Sequence, residues 1–521
     1  MISFDSDGLL DISAVGVSSK ISDHQQLLEV STSDWHDDFR KLINEHFIVH
    51  SHVFFHEYQK SKKFFLVLRK PETKQELFLC LEEKTLRSLV QKLDTRDDIS
   101  FSLKETLLRF GMGDEDWDIY GFKKGCIQSK KSKYPFQLIE DSNEAVFTER
   151  SISNGAWNEE VTKLSFFPRI SGRELGFNLW LEVRGNIIET VKPELGYYHR
   201  GLESALEGKS IIDSSLLMSS FSSFSAFSIQ TLFFSAIEKG LDLQLPDRAT
   251  ALRMIFCEFE RVITHIHFLR DLTILKSDKI NSRLLIDLSE SIAQLFNSFS
   301  GNRHLQGING LGGITWSLPL SWTTDALECL KTVENAMDSY RTQFVKSWDY
   351  THSLNIGQID QKTATRFGLK GPNLRGSGLN YDLRKRIPYF FYDSVEFDVP
   401  IGMDGRCFER FLIRVEEIFQ SIRIITQLLN NLPSGPQKLN VDMTDLQANI
   451  PEYFESSLEL ATGDAQLYFQ LDEKQKVKHL QFASASMKTV NSLSQVLVNT
   501  ELEETSLILS SLGIDILEVD K

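Results

Sequence analysis

Apolar residues recur every three or four positions along much of the second half of the chain. Over 248–266 the recurrent residues are Leu252, Ile255, Phe256, Phe259, Val262, Ile263 and Ile266. Similar stripes run through 279–299, 323–347 and 407–431. Because this spacing places apolar side chains on one face of a helix, we predict four long amphipathic helices.

Shorter apolar runs in the first part of the chain have the character of strands. Residues 64–68 and 76–81 are rich in Phe, Leu and Val and flank the polar stretch 71–74. They predict two adjacent strands joined by a turn. Residues 86–92 and 103–110 have helical spacing instead.

The pattern divides the chain into three parts. Residues 1–125 alternate between strand-like and helix-like stretches, whereas 126–160 are polar and have no steady period. Residues 161–521 contain an alternating strand at 177–183 and then the long helices. We therefore predict a small N-terminal domain, a linker and a large C-terminal domain, which suits a length of 521 residues.

Composition excludes several classes of function. The net charge of −15 would repel nucleic acid, so we predict no nucleic-acid partner. The five cysteines, at 80, 126, 257, 329 and 407, are too far apart in sequence for a CxxC pair. This chain alone therefore predicts neither an iron–sulfur cluster nor a zinc site. The sequence contains neither a run of about 18 apolar residues nor a basic signal region, so we expect a soluble chain facing the cytoplasm.

Three stretches resemble known families. Residues 197–203 (YYHRGLE) and 372–417 resemble the 49-kDa-type (D) subunit of respiratory NADH:quinone oxidoreductase and the large subunit of membrane-bound nickel–iron hydrogenases. Residues 115–122 resemble the signature of the 30-kDa-type (C) subunit, with Asp116 where that family has Arg. The resemblance covers about 30–521 and implies an α+β fold. It consists of a small N-terminal α/β domain, then a large, mainly helical domain with a long-helix bundle and a peripheral β-hairpin layer.

The resemblance also implies a contact surface for a partner subunit. In the family, the His-Arg-Gly motif lies against the small subunit that holds an iron–sulfur cluster. We therefore expect His199, Arg200, Glu203 and His265 at that interface. A guanidinium near a cluster favours its reduced form and raises its potential.

Four positions decide the redox chemistry. Where the hydrogenases carry two pairs of nickel-binding cysteines, this chain has Ser222, Ser225, Asp515 and Glu518. Nickel with its diatomic-ligated iron needs soft thiolates, so we expect no metal at these degenerate positions and no hydrogenase activity. The same oxygens suit a hard cation such as magnesium. The simpler interpretation is packing, because the spacing of Phe221, Phe224 and Phe227 predicts a helix whose small serines let a neighbour approach.

The usual quinone proton donors are missing as well. In quinone-reducing relatives, a His on the first β-hairpin and a Tyr after the His-Arg-Gly motif serve that role. The hairpin here, at 169–176, contains no His, and the Tyr position falls near Ser223.

Taken together, the resemblance predicts a peripheral-arm subunit of a membrane-bound, ion-translocating oxidoreductase complex without a nickel–iron site. The family's overall reaction passes electrons from NADH or ferredoxin to quinone or protons. Two alternatives stay open: a quinone-reducing subunit with an altered pocket, and a redox-silent coupling subunit. The chain itself is expected to hold no cofactor, with quinone as a candidate ligand. The expected partners are the iron–sulfur small subunit and antiporter-like membrane subunits, at the cytoplasmic face of the membrane.

Overall fold

The computed structural model describes residues 3–4, 10–11, 18–22, 25–30, 48–49, 54–58, 61–70, 75–82, 121–122, 161–170, 173–319, 321–441 and 453–521. The chain forms two compact units. One comprises Met1–Tyr120 with Lys124–Pro135, and the other Gly121–Lys123 with Phe136–Lys521. The linker predicted at 126–160, the helices predicted at 86–92 and 103–110, and residues 115–120 of the signature that resembles the 30-kDa-type family lie outside the described residues.

The first unit contains a mixed sheet. Its strands are β1 Ser3–Phe4, β2 Leu10–Asp11, β3 Ser18–Ser22, β4 Gln25–Val30, β5 Ile48–Val49, β6 Phe54–Tyr58, β7 Ser61–Lys70 and β8 Gln75–Glu82. The sheet order is β3-β4-β8-β7-β5, with β6 also paired to β7. Strands β7 and β8 are antiparallel, with Leu66 opposite Leu79, which confirms the predicted adjacent strands. Strands β4 and β8 run parallel.

The second unit carries several small sheets. Its strands are β9 Gly121–Phe122, β10 Thr162–Phe166, β11 Arg169–Ile170, β12 Arg173–Glu174, β13 Asn178–Arg184, β14 Ile187–Leu195, β15 Asn309–Gly310, β16 Gly313–Ile314, β17 Phe454–Glu459, β18 Asp464–Leu471 and β19 Val477–Ala483. One sheet has the order β10-β13-β14-β9 and another has β17-β18-β19. Strand β13 alternates buried and exposed positions, as its sequence predicts.

Helices make up most of the second unit. They are α1 Leu202–Leu206, α2 Ile211–Met218, α3 Ala226–Gly240, α4 Asp247–Leu275, α5 Lys279–Ser300, α6 Trp322–Lys346, α7 Trp348–Ser353, α8 Gln361–Arg366, α9 Gly371–Gly376, α10 Leu383–Arg386, α11 Cys407–Asn430, α12 Ala485–Val496, α13 Thr505–Leu512 and α14 Ile516–Val519. Short 3-10 turns occupy Ser219–Phe221 and Leu502–Glu504. The four predicted long helices are confirmed as α4, α5, α6 and α11.

Helix α4 lies at the centre of the second unit. It packs against α11, α5, α13 and α3, while α6 packs against both α5 and α11. Most of its side chains are buried, including charged ones. The mixed helix and sheet content agrees with the expected α+β class. Within the described residues, no helix is both long and apolar enough to cross a membrane.

Candidate functional site

The four degenerate metal positions lie in two stretches of the chain, with Ser222 and Ser225 just before α3 and Asp515 and Glu518 at and within α14. Ser222 and Ser225 belong to a non-helical stretch between the 3-10 turn and α3, which we call the serine segment (residues 222–225). Ser222 has an extended backbone, and its hydroxyl oxygen accepts the N–H groups of Phe224 and Ser225 at 3.1 and 2.9 Å. Such side-chain bonds compete with helical ones. The single helix predicted from the phenylalanine spacing is therefore wrong at this point, although Phe221 and Phe227 are fully buried.

Asp515 holds the serine segment from the far end of the chain. Its carboxylate accepts the Ser222 hydroxyl at 2.6 Å and the Ser223 hydroxyl at 2.8 Å. It also accepts the backbone N–H of Ser223 at 2.7 Å and that of Leu517, at the start of α14, at 3.1 Å. Two of the four positions, Ser222 and Asp515, are thus in direct contact.

The side chain of Glu518 is buried and contacts two hydroxyl groups. Its carboxyl accepts the Ser486 hydroxyl at 2.6 Å and that of Thr462 at 3.1 and 3.2 Å. Burial raises the pKa of Glu518 to about 8, and the negative charge of Asp515 adds to the shift. Glu518 therefore carries a proton at neutral pH.

This arrangement does not fit a nickel–iron group. The side chains supply hydroxyl and carboxyl oxygens rather than thiolates. It fits a hard cation poorly too, because the Asp515 oxygens already accept four protein donors. Among the described residues, no group of three or more His, Cys, Asp or Glu side chains is placed to hold a metal ion.

The predicted partner surface adjoins the serine segment through Arg200. The guanidinium of Arg200 donates to the Ser220 carbonyl at 2.6 Å, and the side chain is half-buried. Burial lowers the pKa of Arg200, while the charges of Asp515 and Asp520 oppose that shift. Next to it, Gly201 has a φ of 61° where it begins α1, a conformation that suits glycine.

Asp520 fixes the turn that carries His199. Its carboxylate accepts the N–H of Gly196 at 2.9 and 3.0 Å and that of Tyr198 at 2.9 Å. Burial raises the pKa of Asp520 to about 6, against the effect of these bonds and of Arg200. His199 is partly exposed beside this turn.

Glu203 makes its contacts inside the chain. Its carboxylate accepts the N–H of Phe482 at 2.9 Å and the ammonium of Lys521 at 3.4 Å. The side chain is only 12% exposed. Glu203 thus ties α1 to β19.

His265 differs from the surface position predicted for it. Its side chain is fully buried, and Nε2 lies 2.9 Å from Oε2 of Glu417. Burial lowers the pKa of His265 to about 4, although Glu417 opposes the shift, so the ring is neutral at neutral pH. The reason is that position 265 falls on the face of α4 that packs against α11.

A buried ionic network, which the sequence did not reveal, surrounds that histidine. Glu417 also pairs with Arg375, whose guanidinium contacts Glu459 at 2.9 Å. Glu258 of α4 pairs with Arg261 at 3.2 Å and with Arg384 at 3.0 Å. The available signal was the spacing of Glu258, Arg261 and His265, which places three polar groups on one side of the helix.

The charges shift the pKa values of the network in different directions. Burial would raise the pKa of Glu258, but Arg261 and Arg384 outweigh it and hold the value at about 2. Glu459 has a pKa raised to about 7, because burial and Asp382 outweigh Arg375. Buried pairs of this kind cost more to break than they contribute when intact, so the network fixes how α4, α9, α10 and α11 pack.

The first β-hairpin is present as β11 and β12, with Arg169 opposite Glu174. Residues 171–172 at its tip lie outside the described part of the chain. As the sequence shows, no His occupies 169–176, and the expected Tyr position is Ser223. The Ser223 residue is exposed, next to half-buried Phe224.

Comparison with known proteins gives one family. Residues 283–452 match the model of "Respiratory-chain NADH dehydrogenase, 49 Kd subunit". The chain is 31% identical over 277 residues to the D-type subunit of NADH-quinone oxidoreductase from Ehrlichia ruminantium (strain Welgevonden), covering 53% of this chain and 70% of the relative. For the D-type subunit from Methylacidiphilum infernorum (isolate V4), identity is 31% over 299 residues, covering 57% and 71%. For "NADH dehydrogenase [ubiquinone] iron-sulfur protein 2" of Arabidopsis thaliana, identity is 30% over 273 residues, covering 52% and 69%.

Proposed function

This chain belongs to the family of the D-type, 49-kDa subunit of NADH-quinone oxidoreductase, and from that premise we propose that it is a peripheral-arm subunit of a membrane-bound, ion-translocating oxidoreductase complex. The relatives are named as subunits, and a subunit implies an assembly with other chains. The proposed partners are a small subunit that carries an iron–sulfur cluster and antiporter-like membrane subunits. The proposed location is the cytoplasmic face of the membrane.

We further propose that this chain has no nickel–iron site of its own. The observation that carries this proposal is the 2.6 Å hydrogen bond between Ser222 and Asp515. It occupies the place where the resemblance to hydrogenases would require two thiolate pairs to converge. A serine hydroxyl is a hard, protonated donor and does not replace a thiolate.

The proposed contact surface for the cluster-bearing partner centres on His199 and Arg200. Arg200 is positively charged, half-buried and hydrogen-bonded to the 3-10 turn before the serine segment. The nearby helix α2 exposes Ile212 and Leu216, which are 74% and 59% accessible. Exposed apolar side chains beside a fixed cation suit a protein contact better than free solvent.

A second candidate is a quinone-reducing subunit with an altered pocket. It is favoured by the exposed residue Ser223, whose hydroxyl donates to Asp515 at 2.8 Å. If this O–H turns from Asp515 to a quinone carbonyl, the hydroxyl can bind the quinone and the nearby carboxylate can take part in proton transfer. A redox-silent coupling role is the third candidate.

The test is purification of the tagged full-length chain with its natural partners from native membranes. Mass spectrometry should find a cluster-bearing subunit and membrane subunits, and metal analysis should find iron without nickel. Titration of the complex with a water-soluble quinone then separates a quinone-reducing subunit from a redox-silent one. Recovery of the chain alone from gently solubilised membranes would contradict membership of a complex.

A further inference from the structure

Helix α3 begins without a cap from its own sequence. Its N-cap residue, Ser225, makes no side-chain capping bond. The first N–H groups of a helix need acceptors, and buried ones are costly to leave unpaired. Here the acceptor comes from another helix, since Glu260 of α4 lies against the first turn of α3.

The contact with Glu260 is threefold. Oε1 of Glu260 accepts the N–H of Phe227 at 2.9 Å. Oε2 accepts the N–H of Ser228 at 2.8 Å and the Ser228 hydroxyl at 2.6 Å. Glu260 is buried, being only 8% exposed. A carboxylate at the positive end of a helix is well placed electrostatically.

The serine segment is therefore held at both ends. Asp515 holds Ser222 and Ser223 at its start, and Glu260 holds the two residues that follow Ala226 at the start of α3. Between these two carboxylates lie Phe224 and Ser225. The positions of these two fixed ends restrict the backbone conformation of Phe224 and Ser225.

We propose that Glu260 is a positioning residue for the serine segment, one whose ionised carboxylate clamps the first turn of α3 and whose uptake of a proton loosens it. A carboxylate accepts three bonds at two oxygens, whereas a carboxylic acid has one oxygen that must donate. Proton uptake thus removes the negative charge and leaves one of the two oxygens a weaker acceptor, which weakens the contacts to the first turn of α3. A role of the serine segment in binding an electron acceptor such as a quinone rests on the proposed function. The clamp itself does not.

The electrostatic surroundings support proton uptake near neutrality. Burial raises the pKa of Glu260 to about 7, whereas its bonds to Ser228 and Phe227 and the charge of Arg261 lower it. If these bonds loosen while the side chain stays buried, the pKa rises further, so proton uptake favours the loosened clamp. Cys257 also interacts with Glu260, and burial raises the pKa of its thiol to about 12, so the thiol stays neutral.

The other charges around α4 are engaged elsewhere. On α3, Glu238 pairs with Arg253. On α11 and α10, Glu417 and Arg384 join the buried network, and Arg414 of α11 lies over the Phe268 ring. On α5, Arg283, Asp287 and Glu290 pair at the surface with one another or with Arg303, and Lys279 is exposed. Helix α13 contributes no charged residue. His267 also faces the serine segment from α4, with its ring 5.7 Å from that of Phe224. Loss of the pH dependence in Glu260→Gln is therefore what assigns the effect to the carboxyl of Glu260 and not to this imidazole.

The experiment measures amide hydrogen exchange of Phe227 and Ser228 in the full-length chain between pH 6 and 8.5, corrected for the intrinsic pH dependence. In the wild-type protein, protection should fall about five- to tenfold as the pH drops through 7. Glu260→Gln should show the low protection at every pH, and Glu260→Asp should restore part of the pH dependence. Glu503→Gln, an exposed position, should behave as wild type.

Two further results decide between a clamp and a role in function. Equal protection in wild type and Glu260→Gln across the pH range would overturn the clamp. If the clamp is confirmed and the wild-type complex binds the water-soluble quinone, Glu260→Gln should weaken that binding at pH 8 but not at pH 6. Unchanged binding at pH 8 would overturn the positioning role. Absence of quinone binding in the wild type would count against the quinone-reducing function only, because the exchange measurement still decides the clamp.

Discussion

The hydroxyl of Ser222 donates a 2.6 Å hydrogen bond to the carboxylate of Asp515, which lies 293 residues further along the chain. The bond joins the two stretches that the resemblance to hydrogenases identifies as metal clamps. In this chain, a hydrogen bond between the Ser222 hydroxyl and an Asp515 carboxylate oxygen joins them.

Asp515→Ala should destabilise the fold by about 2–3 kcal/mol, because it leaves the buried hydroxyl of Ser222 and the part-buried donors of Ser223 and Leu517 without their acceptor. Ser222→Ala removes one donor to Asp515 and the acceptor of the Phe224 and Ser225 N–H groups, so it should cost less, about 1–2 kcal/mol. Chemical denaturation of the full-length chain measures both. Equal and small effects from the two changes would show that the carboxylate does not organise the serine segment.

The purified complex should contain no nickel and evolve no hydrogen. No thiolate stands at 222, 225, 515 or 518, and oxygen donors do not hold the nickel–iron group. Elemental analysis of the complex gives the nickel content per chain directly. One nickel per chain after removal of loosely bound metal would contradict this prediction.

Glu417→Ala should lower the free energy of unfolding by about 3–5 kcal/mol, because the buried Arg375 would lose the nearest of its acidic partners and His265 would lose its hydrogen-bond partner. The neighbouring Glu416 offers a matched control on the same helix. Its contact with Arg341 is partly exposed and 3.4 Å long, so Glu416→Ala should cost no more than about 1 kcal/mol. Similar losses for both variants would mean that the network is not stabilised by its enclosed charges.

The contrast between these two glutamates shows what the sequence could predict. The periodic stripes predicted the long helices, because burial of one face determines such a pattern locally. The partners of each charged side chain depend on which helices meet in the fold. The resemblance led us to expect His265 at the partner interface, and nothing near it in the sequence indicates that Glu417 is its partner. The break at Ser222 was missed likewise, because its cause includes a carboxylate from the other end of the chain.

Arg200→Ala should lower the midpoint potential of the nearest cluster in the partner subunit, because a guanidinium near a cluster favours its reduced form. Arg200→Lys keeps the charge and should restore most of the potential while losing the fork geometry that reaches Ser220. Redox titration by electron paramagnetic resonance of the assembled complex measures the potential, and a thermal melt runs beside it. A collapsed melt with an unchanged potential would show that Arg200 supports the 3-10 turn and not the cluster.

The proton on Glu518 should make stability depend on pH above neutrality. The pKa of Glu518 is about 8 in the fold against an ordinary value of 4.5, so the folded chain binds this proton more tightly than the unfolded chain. Stability therefore falls as the pH rises between these two values. Glu260 and Glu459 have pKa values near 7, so they also make stability fall with rising pH, but only up to about pH 7. Between pH 7 and 8 the slope belongs mainly to Glu518.

Glu518→Gln should flatten that slope by up to about 1.4 kcal/mol per pH unit, because glutamine keeps a neutral group among the hydroxyls of Ser486 and Thr462. Urea denaturation at pH 7, 7.5 and 8 measures the slope, and the exposed Glu503→Gln serves as the control. Wild type and Glu518→Gln with the same slope would show that Glu518 is ionised in the fold. In that case the ammonium of Lys521 would have to be its counter-ion, and Lys521→Met should then destabilise the chain at pH 8. The flat slope expected for Glu518→Gln, with a steep one in wild type, would instead place a neutral carboxylic acid beside Asp515.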